Sequence, residues 1–442
     1  MSIVAKFGGT SLADAARIQH VVRVIRSDPT RTCVVVSAPG KRYADDTKIT
    51  DLLEGWVNAS ENQRESIFEE IRIRFIEIVK VLGLSLDIDE LFDNILKKAK
   101  RLKWNKKLLF HFMRSRGEWL NAQIVAAACD FEFVDAADFI SFTWRGQFDM
   151  HRTIRRADKL HLSEKAKNGI VVPGFYGRTP WRTVCSFSRG GSDITGTIVA
   201  VLVNADEYEN WTDVEGVLQA DPRIVSDAKK IDEMTYAELR ELTFMGASVF
   251  HQDAAAFVWK AGIPTHIRCT MTPGKAGTLV VSSLDGTPGT ITGIAGKNGF
   301  TVLTLEKYGV DEEIGFLYRL AGVFKELGIS IDHAPGTVDT MSVVIDSEQF
   351  RQKRKEILKR IQRRCEPDKI RVLEDVTLIC TVGLGMKNIP GMAGRLMSAV
   401  GRAGVSIELI NQGASEINIV IGVQKEDGDR AIRAINDEFF PG

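Results

Sequence analysis

From Ser2 to about residue 285, short apolar runs alternate with longer stretches in helical period. Ile3-Val4-Ala5, Cys33-Val34-Val35-Val36 and Ile170-Val171-Val172 are uninterrupted runs, each closed soon after by Gly, Ser or Pro. That is the pattern of strands buried on both faces. The segments between them repeat near 3.6 residues, and residues 61–128 are expected to be mostly helical. Such alternation builds βαβ units, hence a parallel sheet covered on both faces, with ligands at the carboxyl ends of the strands.

The pattern then changes. Asp285-Gly286-Thr287-Pro288-Gly289 and Gly296-Lys297-Asn298-Gly299 mark a boundary. Beyond it lies an internal duplication held in one register. Gly328-Ile329-Ser330-Ile331-Asp332 is matched by Gly404-Val405-Ser406-Ile407-Glu408, Val343-Val344-Ile345 by Ile419-Val420-Ile421, and Gly315, Phe316 and Leu320 by Gly391, Met392 and Leu396. Each copy reads strand, loop, helix, Gly, strand, turn, strand, helix, the split βαβ plan of a ferredoxin-like unit. Phe316, Leu317, Leu320, Phe324 and Leu327 recur at helical spacing and are expected to face the sheet. Units this small bury only a modest share of their surface, so the copies are expected to pack together or against another subunit. The expected division is an α/β domain at 1–285, then ferredoxin-like units at 296–372 and 373–442.

Composition narrows the function classes. With 442 residues, 44% apolar and 26% charged, the chain has room for about three ordinary globular domains. Its 58 basic and 58 acidic residues leave no global field to attract nucleic acid or an anionic membrane. Two basic runs, 97–107 and 351–364, are local candidates for nucleic acid, but with Trp104 as the main aromatic they read better as solvated helix faces. Six cysteines without a C-x-x-C pair argue against a zinc site or redox motif and fit reduced thiols. Met1 leads into an apolar stretch carrying Lys6, without the apolar core or cleavage site of an export signal, and no window approaches about 18 uninterrupted apolar residues. A cytoplasmic protein without a membrane span is expected.

Candidate chemistry sits in loops after the apolar runs. Lys6-Phe7-Gly8-Gly9-Thr10-Ser11 combines a cation, two glycines and a helix start, which suits a triphosphate. Its spacing is neither that of a P-loop nor that of a dinucleotide fingerprint, and alone it is equally a tight strand-to-helix turn. Ser188-Arg189-Gly190-Gly191-Ser192-Asp193 precedes an apolar helix. Ser192 or Asp193 would serve there as a plain cap, yet an arginine beside two glycines is better suited to clamp a carboxylate. Trp211-Thr212-Asp213-Val214-Glu215-Gly216 and Ala220-Asp221-Pro222-Arg223 offer an acceptor and a phosphate donor, with ordinary turn chemistry as the alternative. Arg116-Gly117-Glu118 and Ser37-Ala38-Pro39-Gly40-Lys41, followed by Thr50-Asp51, complete the set.

In order and combination these segments resemble the aspartate kinases, enzymes of the amino-acid-kinase fold that make 4-phospho-L-aspartate. The resemblance covers essentially the whole chain: 6–11, 37–53, 116–118, 188–193, 211–223 and 245–251, then two ACT-type regulatory units. It implies an α/β parallel-sheet sandwich of amino-acid-kinase type followed by two ferredoxin-like ACT units. It also implies ATP and L-aspartate as substrates, with Mg²⁺ bound through the nucleotide, and the first step towards lysine, threonine and methionine. Lys6, Gly8 and Gly9 would hold the ATP phosphates, with Ser37 beside them. Thr212, Asp213 and Arg223 would contact the nucleotide. Thr50, Glu118, Phe175, Arg189, Ser192 and Asp193 would orient aspartate, Arg189 on its α-carboxylate. Lys6 and Asp193 would carry the catalysis.

No general base is needed, because a carboxylate nucleophile with a reference pKa of about 4 is already ionised. Two departures stand out. Ser248 and Gln252 occupy the positions of Lys and Pro in the F-G-A-K-V-L-H-P motif of many relatives, and Leu218 stands where Tyr is common near the adenine. In the family, paired ACT units bind an end-product amino acid such as lysine and also join subunits. Here Gly315, Phe316, Leu317, Ile331 and Asp332 are the candidate effector residues, with core packing as the alternative for Phe316 and Leu317. A homodimer or larger homo-oligomer is expected. Two other classes remain in view: a catalytically silent amino-acid sensor and a nucleic-acid binder using the basic runs.

Overall fold

The structure, a computed structural model, describes residues 2–188, 190–247, 250–284, 291–387, 389–413 and 417–441. Arg189, Ser248 and the first part of the expected boundary, 285–290, lie outside the described residues. The chain forms two compact units. One comprises Met1–Val217, Lys230–Ala237 and Ser248–Leu284; the other comprises Leu218–Lys229, Glu238–Ala247 and Asp285–Gly442. The structure thus divides the chain differently from a cut at 285, because two segments from within the first 285 residues pack with the duplicated tail.

The three apolar runs become β1 (Ile3–Phe7), β2 (Cys33–Val36) and, after β3 (Glu132–Phe133), β4 (Ile170–Pro173). β5 (Tyr176–Arg178) and β6 (Val184–Ser186) form a separate hairpin. β7 (Glu207–Thr212), β8 (Glu233–Thr235), β9 (Thr265–Cys269) and β10 (Thr278–Val281) complete an eight-stranded sheet in the order β3-β4-β2-β1-β7-β9-β10-β8. From β3 to β9 every neighbour pair is parallel; β10 and β8 run the other way. The sheet is therefore parallel-dominated rather than wholly parallel. The reversed strands were hidden by their brevity.

Helices α1 (Ala15–Arg26), α2 (Ile49–Asn58), α3 (Glu61–Leu82), α4 (Ile88–Leu102), α5 (Lys106–Arg114) and α6 (Arg116–Cys129) follow the predicted periods. In α1, Asp14 accepts the Arg17 N–H as N-cap, and Ile18, Val21, Val22 and Ile25 form the buried stripe. α3 ends where Gly83 takes a left-handed conformation, φ 67°. The core between these helices and the sheet is aromatic as well as aliphatic, with Phe7 stacked on Trp211 at 5.8 Å and Phe68 edge-on to Phe92 at 5.1 Å.

In the other unit, β11 (Gly293–Glu306), β12 (Thr340–Asp346), β13 (Lys369–Val382), β14 (Leu409–Asn411) and β15 (Asn418–Gln424) form one antiparallel sheet, ordered β12-β11-β13-β15-β14. Both copies start their first helix on a left-handed glycine, Gly315 (φ 82°) for Phe316–Leu327 and Gly391 (φ 88°) for Met392–Arg402. The copies are not consecutive in space. Residues 293–297, which open β11 at the head of the first copy, pair with 378–382 of the second, and Gly296 lies so close to its last helix that a Cβ would fall 2.6 Å from Ile432. A self-contained unit at 373–442 therefore lacks one of its strands.

One helix-face expectation is corrected. Phe316, Leu320, Phe324 and Leu327 are buried, joined by Val323, but Leu317 is 47% exposed. A step of about 100° from Phe316 carries it off the stripe. The basic run 351–364 lies on the helix Ser347–Cys365, where Arg354, Arg360 and Arg364 pair with Glu374, Glu356 and Glu326, the solvated face expected.

Candidate active site

β1, β2 and β4 are parallel neighbours, so their carboxyl ends open on one side and the loops that follow them meet there. The meeting is backbone on backbone. Gly40 N–H donates to Gly9 O at 2.8 Å, and a Cβ built on Gly9 would lie 2.7 Å from Ala38 O. Across the loop after β4, a Cβ on Gly174 would lie 2.7 Å from Ser192. These glycines are present because the loops touch, with no room for a side chain at the contact.

Lys6 is 7% exposed, and its Nζ lies 2.5 Å from Asp193 Oδ1 while donating to Asn210 Oδ1 at 3.3 Å. Asp193 stands in the first turn of the helix Gly191–Leu202, which Gly190 opens in the left-handed conformation (φ 71°) without a side-chain cap. The capping role is thus not what these residues adopt; the Asp193 carboxylate turns to Lys6.

A cleft of about 810 Å³ opens over this pair. Lys6, Gly8, Gly9 and Ser37 line it, as do Thr50, Glu118, Phe175, Ser192 and Asp193. Thr212 and Asp213 do not line it; Thr212 ends β7, the strand beside β1, and Asp213 follows, with Thr212 Oγ1 donating to Asp213 Oδ1 at 3.2 Å. Arg223 falls in the other unit, 88% exposed and held to Asp221 at 2.6 Å. Among the candidate effector residues, Phe316 is core, Leu317 is exposed, and Ile331 and Asp332 are partly buried. Burial raises the Asp332 carboxyl above its usual range, and the next residue, His333, has its Nδ1 2.8 Å from Asn411 Nδ2, tying the two copies together.

Two cleft features carry chemical information. Glu118 is fully buried, and burial pushes its carboxyl up to about 7, against the opposing pull of backbone N–H groups from itself and Ala38. Its Oε2 has no hydrogen-bond partner among the described residues. Phe175 holds a left-handed backbone, φ 81°, costly for a side chain of this size. The conformation is fixed by Thr195 Oγ1 accepting its N–H at 2.9 Å and by Phe187 N–H donating to its carbonyl at 2.8 Å.

Residue patterns alone missed Arg114, Lys48 and Glu54, which also line the cleft. Arg114 lies 3.0 Å from Glu54 and stacks over the Phe175 ring at 4.5 Å. Its spacing of four from Glu118 across the α5–α6 junction was the available signal.

Glu118 gives the first prediction. Because its pKa is raised in the folded state, the unfolded chain loses this proton near pH 4.5 and the folded chain near 7, so stability falls as pH rises through that window and levels off above it. Glu118→Gln is expected to stabilise the unliganded protein at pH 8 by up to about 3 kcal/mol, an advantage that vanishes at pH 4.5. Denaturant unfolding at the two pH values measures it; equal effects at both would place the proton elsewhere.

Comparison with known proteins shows the family and the fold. Residues 1–269 match the amino acid kinase family and residues 379–439 match an ACT domain. Aspartokinase 3 of Bacillus subtilis is 36% identical over 99% of both chains. The crystal structure of Clostridium acetobutylicum aspartate kinase superposes with a TM-score of 0.91 at 40% identity, covering 99% of this chain and 100% of that one. Escherichia coli aspartokinase III at 24% identity shares the fold over 100% of both chains, with a TM-score of 0.79 in complex with aspartate and ADP. Its complex with lysine and aspartate, called the T-state, gives 0.78 over 99% of both.

Proposed function

This chain belongs to the amino acid kinase family and, within it, to the aspartokinases, and from that premise we propose how its own residues perform the reaction. The reaction is ATP-dependent phosphorylation of the side-chain carboxylate of L-aspartate. One carboxylate oxygen bonds to the γ-phosphorus, the bond from that phosphorus to the bridging oxygen breaks, and ADP leaves with the electron pair. No proton moves, so the task is alignment and charge neutralisation. The observation that carries the assignment of residues is the Lys6–Asp193 pair at 2.5 Å beneath the glycine loops.

Lys6 and the Gly8–Gly9 loop receive the phosphates, with Ser37 beside them. Asp193 holds the Lys6 ammonium in place until the nucleotide arrives. Glu118, buried and short of a donor, takes the substrate ammonium and ionises as it does so. Thr50, Phe175 and Ser192 wall the aspartate side, and Arg189 clamps the α-carboxylate. Thr212 and Asp213 serve the nucleotide. Among the described residues no group of three or more His, Cys, Asp or Glu is placed to hold a metal, and one carboxylate beside a lysine fits Mg²⁺ carried in on the triphosphate. When bound, that ion neutralises phosphate charge.

Hydroxylamine trapping tests the reading: hydroxamate is expected only when ATP, Mg²⁺ and aspartate are all present, and its absence would return the silent-sensor alternative. Because aspartate must find Glu118 ionised, its KM is expected to rise below about pH 7 while kcat at saturation changes little. A flat KM from pH 6 to 8 removes Glu118 from ammonium binding.

The ACT-type unit is read as an effector module. The half-buried Asp332 and His333, whose Nε2 has no partner among the described residues, lie where the two copies are bonded through Asn411, an environment suited to an amino-acid ligand. Lysine, found with the E. coli relative, is the first candidate. Inhibition by lysine or threonine at millimolar concentration is expected, and rates unchanged by either would overturn this assignment. Tyr308, Ile314 and Tyr318 are at least 83% exposed around the first helix of this unit, which favours a homodimer or larger assembly, to be read from the mass in solution. No helix among the described residues is long and apolar enough to cross a membrane, and all six cysteines are buried and unpaired, which supports a cytoplasmic location.

A further inference from the structure

On the other side of the turn that carries Glu118 lies a second cavity, of about 310 Å³, wholly within the first unit. Arg116 lines it and is only 4% exposed. Its Nη2 and Nε donate to Ser115 Oγ at 2.9 and 3.2 Å, and Nε also reaches Phe112 O at 3.3 Å, but no carboxylate of the described residues comes within ion-pair distance. The guanidinium rests instead against three rings, Phe112 at 4.7 Å and Trp119 and Tyr176 at 5.2 Å. A buried full charge held only by a hydroxyl, a carbonyl and aromatic faces is short of a counter-ion.

The rest of the cavity does not supply one. Lys98 and Arg101 enter from α4, Arg178 from β5 and Arg182 from the β5–β6 turn. Lys98, Arg101 and Arg182 make no ion pair among the described residues, and Arg178 reaches Asp138 only at 3.7 Å. The one lining carboxylate, Asp135, is already engaged, its Oδ1 accepting the Tyr176 hydroxyl at 2.8 Å and the Ala137 N–H at 2.9 Å. Five cations against one occupied carboxylate leave a deficit of more than one negative charge. Leu102, Leu108 and Val184 provide an apolar wall beside them.

We propose that this cavity is a second, regulatory site that binds a small phosphorylated molecule, with the phosphate between Arg116 and the cations of the rim and an apolar body against Leu108 and Val184. A phosphate dianion matches both the charge deficit and the forked donors of several arginines, whereas a single carboxylate answers one of them. This use also accounts for part of the basic run 97–107, whose Lys98 and Arg101 face the cavity.

The site is wired to the catalytic cleft by one residue. Gly117 separates Arg116 from Glu118, and a Cβ there would lie 2.7 Å from Ala38 Cβ and 3.0 Å from Ile49 Cγ2. The turn is wedged against the cleft loops, so an anion that draws on Arg116 also biases the position of Glu118, and the occupant acts on aspartate affinity. This coupling, unlike the binding, rests on Glu118 belonging to the aspartate site.

The test uses the full chain with the cleft filled by Mg²⁺, a non-hydrolysable ATP analogue and aspartate. Calorimetric titration with inorganic phosphate, glycerol 3-phosphate and AMP is expected to show one further site for at least one of them. That binding weakens at least tenfold in the exposed rim variant Arg101→Ala/Arg182→Ala and is retained in Lys6→Met. The same ligand is expected to shift the KM for aspartate at least twofold in the parent and not in the rim variant, whose unliganded kcat is unchanged. No binding with the cleft filled, or binding that the rim variant keeps, overturns the site. Binding without a KM shift overturns the coupling alone.

Discussion

Lys6→Ala is expected to lower kcat by about a thousandfold, equivalent to about 4 kcal/mol of barrier. The charge developing on the transferred phosphoryl group is met by a cation held in place by its neighbours, with Lys6 7% exposed, and a fixed charge there needs no reorganisation at the moment of reaction. Lys6 is also one half of a mostly buried ion pair, so its loss strands Asp193 and destabilises the fold. Lys6→Met separates the two effects. It keeps the stem and lacks the charge, and when combined with Asp193→Asn it is expected to recover stability without recovering turnover. Steady-state rates and denaturation midpoints of the four proteins decide the matter; turnover within tenfold of the parent in Lys6→Met would take Lys6 out of the transition state.

The largest stability effect is expected at Glu209, which does no chemistry. It is 1% exposed in the middle of β7 and accepts Arg31 Nε at 2.6 Å, Arg31 Nη2 at 3.0 Å, Arg268 Nη1 at 2.9 Å and Trp211 Nε1 at 2.8 Å. Both guanidiniums also lie over the Trp211 ring, at 5.2 and 4.7 Å. Glu209→Ala leaves them without their carboxylate and is expected to cost about 3–5 kcal/mol. Burial pushes the Glu209 carboxyl up, but the Arg31 bonds outweigh it and the pKa ends below the usual value. The stabilisation is therefore complete above about pH 4.5 and is lost as pH falls through the lowered folded value. Urea unfolding of the parent and Glu209→Gln should differ most near pH 7 and converge in acid; a constant difference from pH 7 to 3 would mean that packing, not charge, sets the effect. Because Trp211 stacks on Phe7, the residue after Lys6, the same network steadies the strand that carries the catalytic cation.

The glycine loops, the three buried runs and the duplicated tail were legible in the chain because each is a local requirement. An uninterrupted apolar run is a strand buried on both faces whatever surrounds it, and paired glycines mark a close backbone approach before the approaching loop is known. β7 was harder to place, since Glu209 and Asn210 are acceptable inside a sheet only once Arg31, Arg268 and Lys6 reach them from other strands and loops. The choice between Arg114 and Arg116 was likewise closed to inspection. They stand on either side of the α5–α6 junction, and only the packed helices show that the first enters the cleft and the second lines the cavity behind it.

By itself, then, the sequence determined the α/β class, the repeat and the chemistry gathered in its loops, since these depend on the period and composition of contiguous residues. Tertiary structure alone decided which charge meets which: Lys6 with Asp193, Glu209 with two arginines, Arg116 with none among the described residues, and residues 293–297 with a copy they do not adjoin. Partners brought together across some 200 residues leave no periodic trace in either segment, because burial selects each residue's polarity while only the completed packing supplies its counterpart.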